Sequence, residues 1–320
     1  MNAARFNRSR FDPPGPKPWA MLVVALLALG FFVEFADLIA LRKTPDGDGA
    51  GEGTPADAPA AAGPLRATAS LPPVAGLVRM LGGDRWQVDS LVGPGQDPHV
   101  YEPTPRQVSA LAASRLFFRT GMPFEDALAA RAAAKCPGVR IVRLKSAIHA
   151  AEDRDGGHGH DETDVHGWLS SVNLALWSTE IAANLAQADP AAAGWVLSRC
   201  ADWKKALLAE TEAAHEAVGR TGVRAFAAWH PAYGAWAAGF GLEQIALEVD
   251  GKSPGPRTLE AARERIAETG ARTMLVQNGA EAARAAEFAR GAGLRVAVVP
   301  PLGDDPLETL RFLREAVFGD

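Results

Sequence analysis

Cysteine is nearly absent from this chain: there are two in 320 residues, Cys136 and Cys200, and neither belongs to a Cys-x-x-Cys pair. A cysteine-built zinc site is therefore excluded. The plainest reading of both is as small buried apolar residues, and spacing alone leaves a disulfide between them open. Excess positive charge is missing too. A formal net charge of −5 gives no basic footprint, which excludes nucleic acid as a natural partner. No His-Glu-x-x-His occurs, so the helix-borne motif of zinc proteases is absent. What the chain does have is 48% hydrophobic and 22% charged residues, the balance of a protein with a real core. Its length suffices for two lobes of ordinary size.

The N-terminal region reads as a targeting or anchoring segment. Arg5, Arg8, Arg10 and Lys17 precede an uncharged apolar run over residues 19–33. Positive charge ahead of such a run keeps the N-terminus in the cytoplasm and sends the following chain outside. The run has 15 residues, and extending it to Leu41 gives 23, enough to span a bilayer. No small-x-small cleavage site follows directly and no lipid-accepting cysteine is present. Residues 1–43 are therefore read as a membrane anchor in preference to a cleaved signal. Residues 44–64, rich in Gly, Ala, Pro and Asp, make a flexible linker.

From residue 65 onward, short apolar runs alternate with helical patterns. Strands are expected at 66–70, 86–92, 115–120 and 140–144, with helices at 74–81 and 107–114. The alternation returns with strands near 223–229, 242–247, 273–277 and 295–299, and helices at 259–269, 280–291 and 306–317. This is the pattern of α/β lobes with parallel sheets flanked by helices. Between the blocks lies helix: 172–187, then a restart at Asp189-Pro190 with Asp as N-cap and Pro at the first position. That second helix is expected over 190–218, stopping at Gly219. Val196, Cys200, Trp203 and Leu207 form its apolar stripe. At 1.5 Å per residue it is roughly 43 Å long, a strut between the lobes. The expected division is 65–189, an N-terminal lobe; 190–218, the linking helix; and 219–320, a C-terminal lobe.

Three histidines stand at the edges of strand-then-loop segments. They are His99 in Pro94-Gly-Gln-Asp-Pro-His-Val-Tyr-Glu-Pro-Thr-Pro105, His166 in Asp164-Val-His-Gly-Trp-Leu169, and His230 in His230-Pro-Ala-Tyr-Gly234. Neutral imidazole is the commonest side chain for holding a borderline metal. Gaps of 67 and 64 residues are too long for a zinc finger, so any shared metal must be assembled by the fold. His99 and His230 follow strands directly, where open α/β sheets place their ligands. Pro231 is expected to open the next helix. His158 and His160 lie in an acidic loop over 153–164, read as a solvated loop or a mobile metal-collecting arm. His149 has no supporting context, and His215, between Glu212 and Glu216, is expected on a solvated helix face. Trp177, Trp195 and Trp203 are expected in helix core.

The stretch 94–105 closely resembles the first metal-ligand loop of the zinc/manganese substrate-binding proteins of bacterial ABC importers. Residues 164–169 and 230–234, with Phe240-Gly-Leu242, are similar to that family's second and third loops. The resemblance runs from Leu65 to the C-terminus in the expected order. It implies two α/β lobes joined by a rigid helix, with the metal in the cleft and His99, His166 and His230 as ligands. It also implies a periplasmic, monomeric receptor that is not an enzyme and that hands its metal to an inner-membrane permease. Three imidazoles favour zinc, with manganese the alternative. The chain departs from the family at the fourth ligand: the usual Asp-Pro-Leu-Gly is here Pro300-Pro-Leu-Gly303. Asp304, Asp305 or water would have to complete the site, and Val165 replaces a customary proline. Two other classes remain: a metal-dependent adhesin or sensor, and a zinc hydrolase with a His₃-water site, for which Glu102 is the nearest base.

Overall fold

The computed structural model describes residues 64–147, 165–248 and 252–319. The N-terminal segment, most of the linker, His149 and the 153–164 loop fall outside the described residues. Among those described, no helix is long and apolar enough to cross a membrane.

The first half folds as β1 (Leu65–Ala69), α1 (Pro72–Gly82), β2 (Trp86–Ser90), α2 (Pro105–Leu111), β3 (Leu116–Arg119), α3 (Pro123–Lys135) and β4 (Arg140–Arg143). Its four strands are parallel in the order β2-β1-β3-β4. Two helices follow, α4 (Ser171–Ala188) and α5 (Ala193–Thr221). The second half is β5 (Ala225–Ala228), α6 (Gly234–Phe240), β6 (Glu243–Ala246), α7 (Pro256–Thr269), β7 (Thr273–Val276), α8 (Gly279–Gly291), β8 (Arg295–Val298) and α9 (Pro306–Phe318). Its sheet is again parallel, in the order β6-β5-β7-β8. Proline at the first turn of α1, α2, α3, α7 and α9 marks each start, where a missing N–H costs nothing. The central strands β5 and β7 are buried throughout, as strands covered on both faces must be.

The expected α/β architecture is what forms, with local corrections. Helix α3 was not anticipated, because its apolar positions are mostly alanines and give little contrast between faces. The linking helix runs Ala193–Thr221 rather than 190–218, though it keeps 29 residues. Pro190–Ala192 is a separate 3-10 turn, and Asp189 makes no side-chain cap. Its carboxylate instead takes Arg85 in two hydrogen bonds of 2.6 and 3.0 Å. Gly219 lies within the helix; the stop comes at Gly222, whose φ of 69° ends the helix in the left-handed conformation. The predicted stripe of Val196, Cys200, Trp203 and Leu207 is buried, as is Trp177. Trp195 is not core: it is 37% exposed, packs on Gly83 and carries the Arg199 guanidinium 4.7 Å above its ring. His215 is half-buried rather than solvated, bonded to the Thr211 carbonyl and set edge-on to Phe240. Cys136 and Cys200 are not joined in a disulfide, and the Cys200 thiol donates to the Ser178 carbonyl at 3.4 Å.

The two halves touch directly. Gly76 on α1 lies against the Asp304 backbone so closely that an added Cβ would sit 1.5 Å from its carbonyl oxygen. Arg79 pairs with the Asp304 carboxylate at 3.3 Å. The linking helix is fastened to the second half through Glu210, which accepts from Arg314 at 2.6 Å.

Candidate metal centre

His99 lies in the 14-residue segment between β2 and α2. Strand-like pairing carries β2 on past Ser90, with Leu91 and Val92 donating to the Ala69 and Ser70 carbonyls. The loop beyond is tied by its own side chains. Gln96 Oε1 accepts from the Gly93 N–H and Asp97 Oδ1 from the His99 N–H, at 2.7 and 2.9 Å. Tyr101 and Gln107 both donate to the Leu91 carbonyl, at 2.6 and 2.8 Å. Burial pushes the Tyr101 phenol up, so it stays a neutral donor. Thr104 and Gln107 form the expected capping box of α2.

His166 stands just before a 3-10 turn over Gly167–Leu169 that leads into α4, capped by Ser170. Gly167 is closely packed: a Cβ there would meet Ser146 Oγ at 2.4 Å and displace that side chain. Asn173 clamps the turn by donating to the Gly167 carbonyl. The Trp168 ring packs edge-on to His166 and reaches the second half, donating its Nε1–H to the Pro301 carbonyl at 2.7 Å.

His230 comes two residues after β5 ends. Its neighbour Trp229 still pairs like a strand residue, donating to Leu275 and accepting from Glu248. The expected helix start at Pro231 is not seen; a turn bonds Ala232 N–H to the His230 carbonyl, and α6 begins at Gly234. Tyr233 closes that turn from beneath, its hydroxyl donating to Val299 at 2.7 Å. Deep burial, together with the Glu281 charge, pushes its phenol far above the ordinary range.

These three segments bring the imidazoles together. Ring centroids are separated by 5.1 Å for His99–His166, 5.3 Å for His99–His230 and 5.5 Å for His166–His230. One ring nitrogen from each lies within 4.8 Å of the other two, and the Nε2 atoms of His99 and His166 are 3.2 Å apart. His166 is buried, His230 half-buried and His99 exposed. Among the described residues no carboxylate oxygen joins the group. Asp305 caps α9, accepting from the Leu307 and Glu308 N–H groups, and Asp304 is paired with Arg79. Neither aspartate is part of the group as it stands, so the fourth position, expected from Asp304, Asp305 or water, is not filled by a described carboxylate. Glu102 is exposed and outside the group. One acidic residue that sequence reasoning passed over stands close by: Glu248, whose Oε2 is 3.1 Å from His230 Nδ1. Its place two residues after β6, at a strand's carboxyl end, was the signal that could have found it.

Two parallel sheets in one chain, joined by a long helix and turning their strand ends toward a shared cluster, are the architecture of a two-lobed ligand-binding protein. The chain belongs to the family of zinc-uptake complex component A, periplasmic, whose model matches residues 68–315. It is 28% identical over 248 residues to the high-affinity zinc uptake system protein ZnuA of Paracoccus denitrificans (strain Pd 1222), covering 67% of this chain and 76% of that protein. A shorter match, 28% over 131 residues, is to the iron ABC transporter substrate-binding lipoprotein MtsA of Streptococcus pyogenes serotype M1. That alignment covers 39% of this chain and 42% of MtsA. A crystal structure of ZnuA superposes with a TM-score of 0.67 at 25% identity, covering 79% of this chain and 97% of that one. A zinc-bound ZnuA deletion mutant gives 0.69 at 25% identity, with 80% and 99% covered.

Proposed function

We propose that this chain captures zinc outside the cytoplasm and hands it to the membrane permease of an ABC-type importer. The cation is cargo, held by His99, His166 and His230 between an N-terminal lobe (65–189) and a C-terminal lobe (219–320). The observation that carries the reading is a donor group built of three imidazole nitrogens, joined by no carboxylate among the described residues. Such a set suits zinc, whereas manganese prefers oxygen. Zinc holds nitrogens at about 2.0–2.1 Å, which sets tetrahedral neighbours about 3.3–3.4 Å apart. The 3.2 Å spacing of His99 and His166 is close to that edge, and the nitrogen offered by His230 lies within 4.8 Å of both. Water then completes the tetrahedron on the side of exposed His99. Family membership and the zinc-uptake relatives point the same way. The protein acts as a monomer tethered by residues 1–43, and its work ends at reversible binding, without turnover.

The test is competitive loading. The full-length chain, purified and offered equal zinc and manganese, is expected to carry about one zinc by mass spectrometry. Manganese in preference, or no bound metal, overturns the proposal.

A further inference from the structure

We infer that Glu248 is a positioning residue of the metal centre: it fixes the tautomer and orientation of His230 so that Nε2 is the nitrogen offered to the cation. The inference rests on the zinc-capture reading and adds a residue to it. Three observations carry it. First, the Glu248 backbone is locked to the segment it serves, its N–H donating to the Trp229 carbonyl at 2.8 Å, one residue before His230. Second, its carboxylate lies 3.1 Å from His230 Nδ1, with both side chains about 15% exposed, at 15% and 14%. A carboxylate only accepts, so Nδ1 must carry the ring proton. Third, His230 Nε2 is buried and has no hydrogen-bond partner among the described residues. A buried ring nitrogen without a partner is costly to leave, and here it lies beside two other imidazoles.

The arrangement is a carboxylate–imidazole pair pointed at a metal position, which fixes the tautomer and orientation of the ring. It also brings negative charge to a cluster that contains none, through a ring rather than by direct ligation. The two nearby aspartates are committed elsewhere, Asp304 to Arg79 and Asp305 to the start of α9.

Two measurements on the full-length chain test this. In the metal-free protein, long-range ¹H–¹⁵N correlation is expected to show His230 protonated at Nδ1; protonation at Nε2 overturns the inference without needing any variant. Glu248→Gln keeps the shape but removes the charge, and is expected to weaken zinc binding about 10–100-fold in competition with a chelating dye. An unchanged affinity in that variant also overturns it. A failure of the parent reading looks different, since His230→Ala would then leave zinc binding intact as well.

Discussion

The two lobes use the same strand order, with the first strand of each flanked by its second and third, yet they present their histidines differently. In the first lobe His99 rides on a 14-residue segment after the edge strand β2, exposed, with its neighbour Val100 78% exposed. In the second, His230 follows the central strand β5 by two residues, between a neighbour still paired to β7 and a carboxylate on its own ring. A ligand on a central strand end inherits the rigidity of the sheet. A ligand on an edge loop is held mainly by local bonds within the loop, here Gln96 to Gly93 and Asp97 to His99. If the three imidazoles share a cation as proposed, His230 is the preset side of the site and His99 the side completed from the loop.

The comparison breaks first on the histidines themselves. His230→Ala is expected to weaken zinc binding about 100-fold or more, since loss of an outer-shell partner alone costs 10–100-fold. His99→Ala should cost less, on the order of 10-fold, because its exposed position admits a replacement water. Chelator-competition titrations of both variants measure the ratio. Equal losses, or a larger one at His99, would end the distinction between the lobes.

Much of this was legible before any coordinates, for definable reasons. Parallel α/β order shows in the alternation of apolar runs, and proline at helix starts leaves a clear mark, as at Pro105 and Pro306. The convergence of His99, His166 and His230 was inferred from strand-end position plus a family resemblance; spacing alone does not specify it. What stayed hidden is tertiary. Asp189 looked like a helix cap, but a two-pronged guanidinium partner on its buried carboxylate outweighs a cap hydrogen bond. Trp195 looked like core because aromatic content says nothing of which helix face meets the neighbouring helices. Glu248 has no local motif; its role exists only because β6 pairs beside β5.

The contact between the halves provides a second, smaller test. Gly76 has no room for a side chain, since the obstacle is the backbone of Asp304 rather than a movable side-chain end. Gly76→Ala should therefore destabilise the folded chain by about 1–3 kcal/mol, the usual cost of overpacking. It would also shift the Asp304 loop that continues from Pro301, the acceptor for Trp168 beside His166. Urea unfolding of the metal-free chain reads the first effect and zinc titration the second. A variant as stable as the parent would mean the two halves do not meet as closely as α1 and the 304 loop imply.

The finest comparison is between the fastenings of the linking helix. At its N-terminal side Asp189, 8% exposed at its side chain, depends on Arg85; at the other, Glu210 has Arg314 at 2.6 Å and Arg311 at 3.8 Å. Removing Arg85 strands a buried carboxylate, which is the damaging half of breaking an ion pair. Arg85 is itself 31% exposed, so water relieves part of the cost, leaving about 1–2 kcal/mol. Removing Arg314 leaves Glu210 a second guanidinium within reach, and its loss should stay below about 1 kcal/mol. Denaturant midpoints of Arg85→Ala and Arg314→Ala decide the order. If Arg314→Ala proves the more costly, the strut is anchored chiefly to the second lobe, and the first lobe, with His99, is the one free to move on it.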